Sequence, residues 1–94
     1  MNIYKVSQSI NDWYDTYDSF VVASNTADEA KYTNPSDDVF WNDGRWVRKN
    51  PYNGDIEDHD TFTWCHPDHV KVEIIGVTDL YNENTVILTS FNAG

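Results

Sequence analysis

The sequence predicts a small α+β domain: a mainly antiparallel sheet with one short helix on one face, in the order β-β-α-(long insert)-β-β. Three observations carry this reading. The stretches NIYKVSQ (2–8) and VKVEIIGV (70–77) alternate apolar and polar side chains, the period of a half-buried strand. Phe20, Val21, Val22 and Ala23 form an unbroken apolar run, which suits a strand packed on both faces. Directly after it, Thr26 stands three residues before Glu29, the spacing at which a threonine oxygen satisfies a free N–H at a helix start.

Each element follows from its residues. In the first strand, Tyr4 and Val6 lie on one side, and Lys5 and Ser7 on the other. Ser9 to Asp18 is rich in Asn and Asp and reads as a loop, with Trp13, Tyr14 and Tyr17 set among Asp12, Asp15 and Asp18. In the helix, Asp28 and Glu29 put negative charge at the positive end of the helix dipole, and Asn34-Pro35 ends it by forcing Asn34 out of helical geometry. Residues 36–64 show no clear period and read as an irregular insert within a single domain spanning 1–94. Val70, Val72 and Ile74 then face inwards with Lys71 and Glu73 outwards. Thr78 to Asn84 makes a turn, Thr85 to Phe91 is the last strand, and the last two strands are expected to form a hairpin.

The apolar pattern sets a packing problem. Ile75, Ile87 and Phe91 are expected on one face of the sheet, with Val72, Ile74, Val86 and Leu88 on the other. A helix of about two turns covers one face only. The second face requires a cover, and Trp41, Trp46 and Phe62 of the insert are expected to supply it unless another chain does, which leaves a homodimer open.

Composition narrows the function classes. Sixteen acidic against six basic residues give a net charge of −10, spread along the chain. Nucleic acid and anionic membrane are repelled by such a surface, so direct DNA binding and membrane binding are not expected, whereas a basic protein surface is attracted. Aromatic residues make up 15 %, with four Trp and six Tyr, enough large rings to build a core from few residues. The single cysteine, Cys65, forms no internal disulfide and points to a reducing compartment. With no apolar run of the length of a signal segment or membrane span, and with a strand at the start in place of a leader, a cytoplasmic location is expected.

The opening MNIYKVSQSINDWYDTYDSFVVASNTADEAK and the ending TVILTSFNAG resemble small uncharacterised proteins encoded by bacteriophages and prophages. Those proteins are similar in carrying "I-Y-x-V-S-Q", then "Y-D-T-Y-D-S", then a helix rich in Glu and Ala. They also carry a Trp followed by "P-x-x-V-x-V-x-x-I-G", matched here by Trp64, Pro67, Val70, Val72, Ile75 and Gly76. Residues 36 to 61 are unmatched. The resemblance implies a phage accessory gene acting in the cytoplasm of an infected bacterial host, and it brings no assigned activity.

Three constellations offer chemistry. Asp55, Glu57, Asp58 and Asp60 form an acidic run after Asn53-Gly54; its glycine precedes the acids and no closing Glu follows, so it departs from a calcium loop and reads as a solvated anionic surface. Arg45, Arg48 and Lys49 are interleaved with Trp41, Trp46 and Tyr52, the ingredients of a nucleotide site that stacks a base and holds a phosphate, or of nothing more than a charged strand. His59, Cys65 and His69, with His66 and with Asp58 or Asp60 as a fourth ligand, could hold zinc, although no second cysteine pair or paired-histidine motif accompanies them. No nucleophile elbow, glycine-rich phosphate loop or Ser-His-Asp pattern is present, so neither an enzyme nor a cofactor is expected.

The leading expectation is therefore a small acidic phage accessory protein that acts without catalysis. It would bind a basic surface of a host protein through Asp55, Glu57, Asp58, Asp60 and Trp46, as an inhibitor of a host defence or nucleic-acid-handling complex that offers carboxylates where phosphates would sit. The alternatives are a nucleotide-binding module or sponge using Arg45, Arg48, Lys49 and Trp46, and a metal-dependent hydrolase built on His59, Asp60 and Cys65.

Overall fold

A computed structural model of the chain describes residues 1–11, 16–36, 38–79 and 85–92. The expected loop around Trp13 and Tyr14, most of the turn before Thr85 and the side chain of Phe91 lie outside what it describes. The fold is α+β. Four strands, β1 (Asn2–Ser7), β2 (Thr16–Ser24), β6 (Lys71–Val77) and β7 (Thr85–Asn92), form one antiparallel sheet in the order β6-β1-β2-β7. A second antiparallel sheet of β3 (Val39–Asn42), β4 (Arg45–Lys49) and β5 (Ile56–Asp58) occupies the stretch expected to be irregular. The helix α1 (Ala27–Lys31) and a 3-10 turn (Pro67–His69) complete the architecture.

The helix begins where its cap dictates. Thr26 is extended, and its side-chain oxygen accepts a hydrogen bond from the Glu29 N–H at 3.2 Å, with Asp28 and Glu29 in the first turn and Lys31 in the last. One turn past the cap, Ala30 is fully buried against β1, β2 and β6. A small side chain lets the helix backbone approach the sheet closely.

Two expectations about the large sheet are overturned. The last two strands do not form a hairpin: β6 pairs with β1 and β7 with β2, at opposite edges. The reason is that β1 and β2 already pair with each other, so each offers its one remaining edge. The face assignment also changes. Val22 pairs with Val86 and its neighbour Val21 with Leu88, so a bulge at Ile87 turns Val86 and Leu88 to opposite faces. A second bulge, at Ile75, lies between the pairs Ile3–Gly76 and Tyr4–Ile74.

The insert is regular because its turn chemistry is. Asn42-Asp43-Gly44-Arg45 makes a two-residue hairpin in which Asp43 (φ 54°) and Gly44 (φ 79°) both take positive φ, as this tight turn requires. After β4, the Asn50 side chain accepts from the N–H groups of Tyr52 and Asn53, and Gly54 takes φ 76° to return the chain into β5.

The core lies between the large sheet and both its covers. Tyr4, Val6, Phe20 and Val22 of the sheet pack with Ala30 of the helix, Val39 and Trp46 of the small sheet, and Trp64. Phe20 and Trp64 meet edge to face, with centroids 5.0 Å apart. The Trp46 indole N–H donates to the Cys65 carbonyl at 2.8 Å, tying β4 to the segment before the 3-10 turn. Helix and insert thus cover the same face. The expectation that the insert would cover the other one fails, and Phe62 is 75 % exposed rather than packed.

Candidate functional site

The structure separates the sequence-predicted residues into core and surface. Trp46 is 2 % exposed, so it cannot stack a base or meet a partner; its place in the expected binding sites is corrected to a place in the core. Its neighbours along β4 alternate, so Arg45 and Lys49 lie on one side of the strand and Arg48 on the other. Arg45 is paired with Asp58 at 2.7 Å and Arg48 with Asp38 at 3.3 Å. The three cations therefore do not converge, and the two arginines are already engaged by carboxylates. This removes the geometric basis of the nucleotide site.

The zinc constellation is also not assembled. Among the described residues no three His, Cys, Asp or Glu side chains come together at one point. Cys65 is buried, and that burial pushes its thiol up to about 11, so at neutral pH it is protonated and a poor ligand or nucleophile. His59 faces Asp60 at 3.8 Å, while His66 packs edge-on against Trp41 at 5.0 Å and stands 6.4 Å from His69. The His66 Nδ1 accepts the Asp68 N–H at 3.1 Å, which starts the 3-10 turn. These residues hold the chain in place, and the hydrolase reading loses its site.

The acidic run stays on the surface. Among the described residues β5 pairs with β4 alone and nothing pairs with its outer edge, and Asp55, Ile56, Glu57, Asp58 and Asp60 are all exposed. The side chains are nevertheless organised. Asp58 takes Arg45, and Glu57 accepts from the Asn50 amide. Asp60 closes the following turn by accepting from the N–H groups of Phe62 at 2.9 Å and Thr63 at 3.2 Å. Partial burial alone would raise the Asp60 carboxyl, but those N–H groups, His59 and the Thr63 hydroxyl outweigh it and hold it below the usual value. Counted with the neighbouring strand β4, which sets Arg45, Arg48 and Lys49 beside them, the four carboxylates keep a surplus of one negative charge.

Two further surface features stand apart from these constellations, the first without an expectation and the second expected to be covered. The first is an open cleft of about 680 Å³ between the end of α1, the start of β3 and β7, lined by Glu29, Tyr32, Asn34, Phe40, Thr85 and Val86, among others. The second is the outer face of the large sheet, where Leu88 is 65 % and Ile75 55 % exposed beside the half-buried Ile3 and Val21. The alternation of Ile3, Lys5 and Ser7 against Tyr4 and Val6 was the available signal for that face.

Compared with known protein families, with functionally described proteins and with solved structures, the chain matches none. No helix among the described residues is long and apolar enough to cross a membrane.

Proposed function

We propose that this chain is a non-catalytic acidic binding protein, a phage accessory protein that docks on a basic surface of a host protein inside the infected cell. The observation that carries the reading is the exposed carboxylate edge of the small sheet: Asp55, Glu57, Asp58 and Asp60 stand along and beside a strand with nothing paired to its outer edge among the described residues. Asp55 stands just before β5 and Glu57 within it, and both carboxylates are exposed. A basic surface that holds nucleic-acid phosphates is the partner chemistry these carboxylates fit. The buried, protonated Cys65 and the dispersed histidines support an absence of catalysis. The likeness of the chain's two ends to phage-encoded proteins supports the origin.

The test is affinity capture from nuclease-treated bacterial extract with the wild-type chain and with a D55N/E57Q/D58N/D60N variant. The proposal expects a captured protein that is displaced by added duplex DNA and by salt, since exposed charges are screened within about 10 Å at ~0.1 M. It also expects the neutralised variant to capture none. Capture that survives both neutralisation and high salt contradicts it.

A further inference from the structure

We propose that the outer face of the four-stranded sheet is a docking surface for a second copy of this chain. The strand register builds the face in three rows. Glu73, Lys5, Val21 and Leu88 form the middle row. Gly76, Ile3, Ala23 and Thr85 form the next, and Lys71, Ser7, Ser19 and Ser90 the third. Ile75, the extra residue of the bulge beside Gly76, is 55 % exposed. The helix and the small sheet both pack on the opposite face, and on this one Leu88, Lys5, Glu73, Lys71 and Ser90 are exposed, while Ala23 is buried among its neighbours.

The charge of the face selects the occupant. Lys5 and Lys71 are balanced there by Glu73 and by Asp18, whose carboxylate takes the Ser90 hydroxyl at 3.5 Å. Two positive and two negative groups sum to zero, so among the described residues, with twelve acidic and six basic groups, the net charge of −6 lies on other surfaces. A basic partner is drawn to those other surfaces. Two copies of a −10 chain repel one another, and the repulsion is least through this neutral face, where Val21, Leu88 and Ile3 sit among polar side chains and Lys5 and Glu73 of one copy can meet Glu73 and Lys5 of the other. Face-to-face stacking is favoured over edge-to-edge pairing, because both edge strands carry bulges and β6 carries Lys71 and Glu73.

The size of the face sets the strength. Six paired residues at about 3.3 Å and four strands at about 4.8 Å give a footprint of roughly 400 Å² per copy. A stable interface uses about 800 Å² per partner, so this contact is a weak, transient one.

Sedimentation velocity across the micromolar range tests this. The mass is expected to rise with concentration from 10.9 kDa toward twice that value, and the dimer to strengthen with added salt, which screens the repulsion between the two acidic bodies. Leu88→Asp, at a side chain already in water, is expected to weaken association at least tenfold with unchanged thermal unfolding. Lys5→Glu tests the same face independently of Leu88, and Lys5→Glu with Glu73→Lys is expected to restore association. Four results would each overturn the proposal. They are a monomer at every concentration, a dimer indifferent to both single variants, a dimer dissolved by salt, and a monomer that uses Leu88 to capture a host protein.

Discussion

On the inner face of the four-stranded sheet Val6, Phe20 and Val22 are buried beneath a helix and a second sheet, while one residue along the same strands Lys5 and Val21 look outwards beside an exposed Leu88. The same alternation generates both faces. What differs is where the covering residues lie. Ala30, Val39, Trp46 and Trp64 come from segments connected on one side of the sheet, and large rings there bury the area that a five-residue helix cannot. Apolar pattern alone therefore says that a face wants a cover; connectivity decides which face receives one.

Breaking the covered face should give the largest effect. Trp64→Ala removes a fully buried ring from between the sheet and its covers, and is expected to cost about 3–5 kcal/mol in denaturant unfolding. A smaller loss is expected from Gly44→Val, about 1–2 kcal/mol, because nothing crowds that position and the whole effect is a branched side chain forced to φ 79°. Thermal unfolding should show Thr26→Ala costing about 1 kcal/mol through the lost cap of the helix; no change would place the helix start elsewhere.

The smallest effect is electrostatic and lies on the acidic edge. The Asp60 carboxyl is held below its ordinary value in the folded chain, so its contribution to stability is fully present above the unfolded value near ~4 and is lost as pH falls through the lower folded one. Asp60→Asn is expected to flatten that acid limb by removing the small contribution present near neutral pH, while leaving stability below the folded value almost unchanged. A variant that retains the full acid limb would show that the turn from Asp60 to Thr63 is held by something else.

Much of this was legible in the residues. Thr26 and Glu29 located the helix cap, Tyr4 and Val6 located the inward side of β1, and the run from Phe20 to Ala23 located the centre of β2. The second sheet was legible too, in Asp43-Gly44 between Phe40-Trp41 and Trp46-Val47, but the dense charge around it obscures the short alternation. The bulges at Ile75 and Ile87 had no local signal: each depends on how one strand meets its neighbour, and each moves later side chains to the other face. Trp46 shows the same limit at the candidate site. Flanked by Arg45 and Arg48 it has the surroundings of a stacking residue, and only the Cys65 carbonyl, nineteen positions away, fixes its indole in the core.

The contrast between the two faces is tested most directly by unfolding Trp46→Ala and Leu88→Asp side by side in denaturant, at a concentration too low for self-association. A loss of about 3–5 kcal/mol is expected for Trp46→Ala, and a value within about 0.5 kcal/mol of wild type for Leu88→Asp, although aspartate is the harsher replacement. If Leu88→Asp cost as much as Trp46→Ala, or Trp46→Ala cost nothing, the assignment of covered and bare faces would be contradicted.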